Sequence, residues 1–413
     1  MKREARGIDA AGVADCCIVG GGPAGMVLAL LLARVGLEVT VLESQPDFER
    51  DFRGDTLHAS TLEMLEQIGL AERALAIPHA KLRQASIHAG NSHYQLADFG
   101  RLRSRYPFIA IMPQAEFLEF LCAEAARYPG FRCLRSAPAV GLLESGGRIS
   151  GVRYRHNGEE RTLSANLVVA ADGRFSRLRR LTGAQATQRA APMDVCWFRL
   201  PRFDADGGDS GGFFVGRGRM LITIPRATSW QIGYVFPKGD FGEVRASGID
   251  AFRRSVAETV PWLADRTATI TDFDAVHLLN VKADCLATWH RPGLLFIGDA
   301  AHVMSPVGGV GINAAISDAV ETANVLAHPD HPRLAHGPPP ENLLAEIQRR
   351  RARPTRIIQA VQSRIQDLLV RRAISGREFD VPLPVRALIA IPGVRQIPIR
   401  IFALGVSRTR LQL

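Results

Sequence analysis

From Cys16 to Val35 apolar positions follow one another almost without interruption, broken by Gly20, Gly21, Gly22, Pro23 and Gly25 and, near the end, by Arg34. Cys16–Val19 enters the glycines, Met26–Val35 is apolar on nearly all faces and stops at Gly36, and Glu38–Leu42 is a second short run ending on Glu43. Runs of this kind predict a strand, a buried helix and a second strand of a parallel sheet. Two later apolar runs predict further buried strands: Asn166–Ala171 leads into Asp172-Gly173, and Leu294–Ile297 into Gly298-Asp299. The second is followed by the glycine-rich stretch Met304–Asn313 and a helix through about Ala327.

Between roughly Pro192 and Val281 the pattern changes to short alternating runs at 195–200, 212–215, 220–224 and 230–236, separated by Gly, Asp and Pro turns. These predict an antiparallel sheet, to which an insertion at about Lys81–Leu102 adds strands. From Glu341 to about Arg372, Ile357, Ile358, Val361, Ile365, Leu368 and Leu369 recur at helical spacing, and Val381–Leu413 alternates prolines with apolar residues and arginines. The fold class that follows is α/β, with a Rossmann-type dinucleotide-binding domain, an inserted antiparallel sheet and C-terminal helices. A length of 413 residues fits two to three domains.

The turn Gly20-x-Gly22-x-x-Gly25 between strand and helix has a physical reading. Gly20 permits the tight turn, Gly22 lets a pyrophosphate approach the backbone, and Gly25, beside Ala24, lets the helix pack on the strand. The helix N-terminus supplies N–H groups and positive dipole. Glu43 lies 18 residues past Gly25, where a carboxylate accepts from ribose hydroxyls and disfavours a 2′-phosphate, so FAD or NAD fits better than NADP.

Charge narrows the picture. The chain has 51 Lys+Arg against 41 Asp+Glu, a net +10. Arg349–Leu413 alone holds fourteen arginines against three acids (Asp367, Glu378 and Asp380), a net +11, so the rest of the chain sums to −1. The basicity therefore belongs to a tail, which argues against nucleic acid as a partner. Six dispersed cysteines, without a CxxC pair or His at metal-ligand spacing, predict a reduced, cytoplasmic, metal-free protein. The glycine-broken run Cys16–Val35 reads as neither a signal peptide nor a membrane span.

In this order and at these spacings, the GxGxxG, Asp172-Gly173 and Gly298-Asp299 segments resemble the class A flavoprotein monooxygenases, the FAD-dependent hydroxylases of the p-hydroxybenzoate hydroxylase and ubiquinone-biosynthesis type. The matching segments run from about Asp15 to Ala327. The resemblance implies a GR2-like FAD-binding domain formed by 12–80, 103–185 and 275–330, a substrate domain formed by 81–102 and 186–274, and a C-terminal helical, Arg-rich segment at 341–413. It further implies non-covalent FAD, NADH or NADPH as transient reductant, O2, and hydroxylation of an aromatic or other electron-rich small molecule through a flavin C4a-hydroperoxide.

The residues that the family would use for FAD are Gly20, Gly22, Ala24, Gly25, Glu43, Arg53, Gln114, Asp172, Asp299, Gly311, Ile312 and Asn313. Pro306, Gly308 and Gly311 would belong to the loop facing the flavin, where bare backbone lies against the ring, with no side-chain acid or base assigned. The helix beginning near Gly311 would aim its positive end at the N1–C2=O edge. On the substrate side Trp197, Phe214, Trp230 and Tyr234 are the pocket candidates, against a plain reading as sheet core, and His302 reads as a structural loop residue.

Two other functions compete. One is a flavin oxidoreductase of the same fold and different chemistry, such as an isoprenoid-type reductase or epoxidase; a halogenase is disfavoured because Trp230-Gln231-Ile232-Gly233-Tyr234 does not match WxWxIP. The other is a non-catalytic FAD-binding scaffold. The basic tail reads either as helices packed on the body or as a docking surface for an anionic membrane or a carrier protein, and a monomer or homodimer is expected.

Overall fold

The computed structural model describes residues 13–49, 55–90, 92–383, 386–387 and 391–413. Its larger sheet has eight strands. Ala14–Val19 lies at the centre, all six residues buried, paired in parallel with Val39–Leu42 on one side and with Glu159–Ala170 on the other. Phe131–Leu134 and Leu294–Phe296 extend it in parallel, and the hairpin strands Ala139–Ser145 and Arg148–His156 build out from Glu159–Ala170. Burial on both faces explains why the central strands read as unbroken apolar runs.

Helix α1 (Pro23–Arg34) starts with a proline at its first position, where no N–H is needed, and is buried from Ala24 to Ala33. It packs between α2 (Gln114–Ala125) and the later helix formed by Gly311–Leu326. The second large sheet has seven strands, in the order 277–279, 193–201, 229–237, 219–225, 210–216, 84–89 and 92–98. Its outer face is covered by α3 (Ile249–Thr259), whose Phe252 and Val256 join Phe198, Trp230 and Tyr234 in one buried cluster. α4 (Gly311–Leu326) returns to the first sheet, and α5 (Glu341–Ile365) crosses behind it. The helix then widens to π geometry at Gln366–Val370, and α6 (Pro392–Leu404) follows.

Two details differ from expectation. The second sheet is not antiparallel throughout, because Gln84–Ala89 pairs in parallel with Ser210–Gly216; the two strands come from distant segments and no hairpin constrains their direction. The expected return to the first domain at residue 275 comes later: His277–Leu279 still pairs with Val195–Trp197 as an edge strand of the second sheet. No helix among the described residues is long and apolar enough to cross a membrane.

Candidate active site

A cavity of about 1510 Å³ runs between the C-terminal ends of the parallel strands and the inner face of the seven-stranded sheet. That exceeds the few hundred to about 1,000 Å³ of an ordinary small-molecule site, enough for a large ligand beside a second one. Its floor is the set of loops expected from the sequence. Gly20 has φ +107°, and a Cβ there would run into the carbonyl of Ala171. Gly25 sits against the carbonyl of Gly20. Gly22 is different: no protein atom lies within 4 Å of where its Cβ would be, at the mouth of α1, whose first N–H groups have no helical acceptor. An open cradle lined by N–H groups is what a pyrophosphate fills.

Ala24 lies close to Gly298 and joins this turn to the Gly298-Asp299 turn. Glu43, 4% exposed, braces the glycine loop while lining the cavity: one carboxylate oxygen accepts from the N–H of Gly21 (2.8 Å) and the other from the N–H of Gln45 (2.8 Å). Gln114 opens α2 beside the cavity. Its N–H donates to Asp55 Oδ1 at 3.2 Å, and Asp55 in turn pairs with Arg226, which also donates to Gln231 at 2.8 Å. Arg53 lies outside the described residues.

Asp172 accepts from the N–H of Leu178 with one oxygen (3.0 Å), and its other oxygen is buried against the cavity without a hydrogen-bond partner. Burial pushes this carboxyl up, against the hydrogen bonds it receives from Ser176 and the backbone. An unsatisfied buried acceptor of this kind calls for a donor from a ligand. Asp299 also lines the cavity, 3.8 Å from the guanidinium of Arg174. The floor thus fits a flavin dinucleotide by two observations independent of any motif, the open cradle at Gly22 and the unpartnered oxygen of Asp172.

Beyond Asp299 the loop Pro306–Gly311 forms the rest of the floor. The expectation that bare backbone is needed throughout it for a ring to lie on is corrected in part. Gly308 has φ +80°, and its Cβ would meet the ring of Phe402 from α6. Gly311 is the open position, with nothing within 4 Å. Ile312 and Asn313 follow in the first turn of α4, with N–H groups that lack helical acceptors. The Asn313 side chain is a clamp: its Oδ1 accepts from the N–H of His58 (2.9 Å) and from Thr61 Oγ1 (2.7 Å), and its Nδ2 donates to the carbonyl of Thr56 (3.1 Å).

The roof changes the list of substrate candidates. Trp197 lines the cavity, its ring lying over Gly233. Phe214, Trp230 and Tyr234 do not; strand alternation places them on the outer face of the sheet. Trp230 donates from Nε1 to Asp206 (2.8 Å), Tyr234 accepts from Ser255 (3.2 Å) with its ring tilted against Phe252, and Phe214 stacks on His88 at 4.4 Å. The residues facing the cavity are their neighbours, among them Val195, Phe213, Met220, Ile222, Ile224 and Val235.

Behind the floor lies a buried ionic cluster that the sequence reading missed. Asp318 on α4 accepts from the N–H of Gly298 (2.9 Å), contacts His302 Nε2 (2.7 Å) and accepts from Arg351 Nε on α5 (2.7 Å). Burial opposes its ionisation, but the charges and hydrogen bonds of His302 and Arg351 outweigh that and hold the Asp318 carboxyl at about 2. The available signal was slight: an acid beside Ala315, Ile316, Ala319 and Val320, in a helix that also holds Glu321 and several other polar residues. His302, expected in a loop, stands instead in a short strand paired with Cys285 and is a member of this cluster.

A family model described as "FAD binding domain" matches residues 13–361. The 6-methylpretetramide 4-monooxygenase of Streptomyces rimosus is 32% identical over 359 residues, 85% of this chain and 79% of that protein. The pentachlorophenol 4-monooxygenase of Sphingobium chlorophenolicum is 28% identical over 306 residues, and there the match spans 73% of this chain but only 56% of the relative. Among solved structures, PqsL of P. aeruginosa in complex with 2-aminobenzoylacetate superposes with a TM-score of 0.76 at 21% identity, covering 88% of this chain and 99% of that one.

Proposed function

Since this chain belongs to the FAD-binding-domain family, as an FAD-dependent aromatic monooxygenase of the class A flavoprotein type, we propose that its substrate is an extended, uncharged polycyclic phenol. The observation that carries this reading is the inner face of the roof sheet. Val195, Trp197, Phe213, Met220, Ile222 and Ile224 present apolar surface; of the polar side chains beside them, Gln231 is engaged by Arg226, and His277 stands on the edge strand opposite Trp197. A carboxylate substrate would need a cation among these six positions, and none of them is one; Lys282, Arg174 and Arg177 line the cavity from other elements. The naming of the Streptomyces rimosus relative for a methylpretetramide supports a polycyclic substrate here.

FAD, when bound and reduced by NADH or NADPH, would activate O2, so that one oxygen atom goes to the ring of the substrate and the other leaves as water. The chain's part is to bind, orient and exclude water. We assign Gly20, Gly22, Ala24 and Gly25 to the pyrophosphate and Glu43 to the ribose. Gln114, Asp172 and Asp299 hold the remaining polar groups, with Arg53 assigned from the resemblance alone. The N–H groups of Gly311, Ile312 and Asn313 stabilise negative charge at the edge of the ring system. Pro306 and Gly308 shape the surface on which the ring rests. Trp197 and its inner-face neighbours press the substrate toward that surface and keep it dry. The tail's arginines are assigned to packing on the body: Arg351 is buried against Asp318, Arg350 pairs with Glu321 and Arg408 donates to the carbonyl of Arg103, while Arg371 and Arg386 pair within the tail with Asp367 and Asp380.

The test is NADH and NADPH oxidation by the flavin-loaded enzyme with 1-naphthol, 1,8-dihydroxyanthraquinone and 4-hydroxybenzoate, with products read by mass. The polycyclic phenols should stimulate oxidation and give a product heavier by one oxygen atom. Stimulation by 4-hydroxybenzoate alone would overturn the assignment.

A further inference from the structure

The matched family region ends at residue 361, yet the cavity does not end with it. Ile365, Leu369 and Val370 line it from the π-turn that follows α5. In an α-helix a residue five positions on points about 140° away from the first, so 365 and 370 would face apart. A π-turn accommodates an extra residue and turns positions four and five further on toward the same side, and turns of this kind recur at functional sites. Here it aims 365, 369 and 370 together into the cavity. Val370, Ala373 and Ile374 also pack in one cluster with Met193, Val195, Trp197, Met220 and Val235 on the inner face of the roof.

The turn is anchored to the floor as well. Gln362 and Gln366, 1% and 4% exposed, lie one helical turn apart. Gln362 Nε2 donates to the carbonyls of Ser305 (2.8 Å) and Val307 (2.7 Å), and Gln366 Nε2 donates to Ser305 Oγ (2.6 Å). Val307 belongs to the same cluster as Val370. The segment therefore spans the gap between floor and roof and closes one end of the cavity.

We propose that the π-turn Gln366–Val370, with Ile365, is the specificity element of this enzyme: it is the end wall that sets how long an aromatic ligand the cavity accepts. This rests on the reading of the cavity as the site for an aromatic substrate. The wall belongs to the stretch beyond the region the family model matches, and the side chains of Ile365 and Leu369 make none of the hydrogen bonds that tie the turn to the floor, so substrate length can be set there without breaking those bonds. Leu369 and Ile365 are only half-buried and replaceable, whereas Gln362 and Gln366 hold the wall in position.

The test is calorimetric binding of phenol, 1-naphthol and 1,8-dihydroxyanthraquinone to the full-length holoenzyme and to three variants. Leu369→Trp should weaken the three-ring probe relative to phenol by about tenfold, the effect of overfilling a packed wall. Leu369→Ala should shift the same ratio the opposite way. Leu368→Trp, on the exposed side of the same turn, should leave it unchanged. An unchanged ratio in both Leu369 variants, or an equal shift in Leu368→Trp, would overturn the proposal. The readout is binding, so a probe that binds with the expected ratio and is not hydroxylated counts against the substrate reading and leaves the wall in place.

Discussion

The floor and the roof of the cavity are built on different principles. The floor works through backbone and carboxylates: the cradle at Gly22, the N–H groups from Gly311 to Asn313, and the oxygens of Asp172 and Asp299. These are held from behind by buried polar contacts, with Asp318 gripping Gly298, His302 and Arg351, and Asn313 gripping His58, Thr61 and Thr56. The roof works through side-chain shape and is held by apolar packing, with the aromatic cluster around Phe198, Trp230 and Phe252 behind it. Groups that must meet charge are preorganised by directional bonds, because a misplaced donor loses its partner. Groups that need only exclude water and present a surface are held by packing, which leaves their identity adjustable.

The sharpest way to break this contrast is Arg351→Met, which leaves the buried Asp318 without its guanidinium. It should cost about 3–5 kcal/mol in urea unfolding. A loss near zero would mean that the floor is held by packing like the roof. Next is the acid response of His58, wholly buried, with Nδ1 donating to the carbonyl of Phe402 at 2.9 Å. Burial lowers it from 6.5 to about 4, against the backbone hydrogen bonds that favour its charged form. The folded state therefore keeps it neutral. Its contribution is complete above pH 6.5 and is lost as pH falls toward 4, by about 3 kcal/mol in all. His58→Gln should flatten that part of the stability curve, and parallel curves for the two proteins would rule it out.

Gly22→Val should weaken FAD binding about a hundredfold, read by reconstituting the apoprotein, because its side chain enters the space of the ligand. The fold should survive, since the side chain meets no protein atom within 4 Å of its Cβ. The smallest effect belongs to the roof. Ile222→Ala, already facing open space, should cost about 1 kcal/mol, below the 2–5 kcal/mol of a packed core site. A loss at the core value in chemical denaturation would show the roof to be as tightly packed there as the face behind it.

The floor was readable because its signals are local. A glycine spacing, a strand ending on an acid and a glycine-rich turn before a helix are each contained within about a dozen neighbouring residues, and the backbone there can do little else. The roof was readable as a sheet but not as a pocket. Alternation says that every second residue faces inward, but which half does so depends on register and on what covers each face. Phe214, Trp230 and Tyr234 were the obvious aromatics, and α3 claimed them for the outer core. Asp318 and Arg351 are 33 residues apart on separate helices, and nothing local marks them as partners.

What the sequence by itself determined is the α/β class, the dinucleotide loop, the order of the strand ends that carry Asp172 and Asp299, and the kind of cofactor these can hold. All of these follow from short-range geometry and period. Only the tertiary structure decided which face of the roof lines the cavity, what holds the floor from behind, and that Ile365, Leu369 and Val370 in a basic tail line that cavity too. Those depend on contacts between residues far apart in the chain, where the partner and not the local pattern settles what a side chain does.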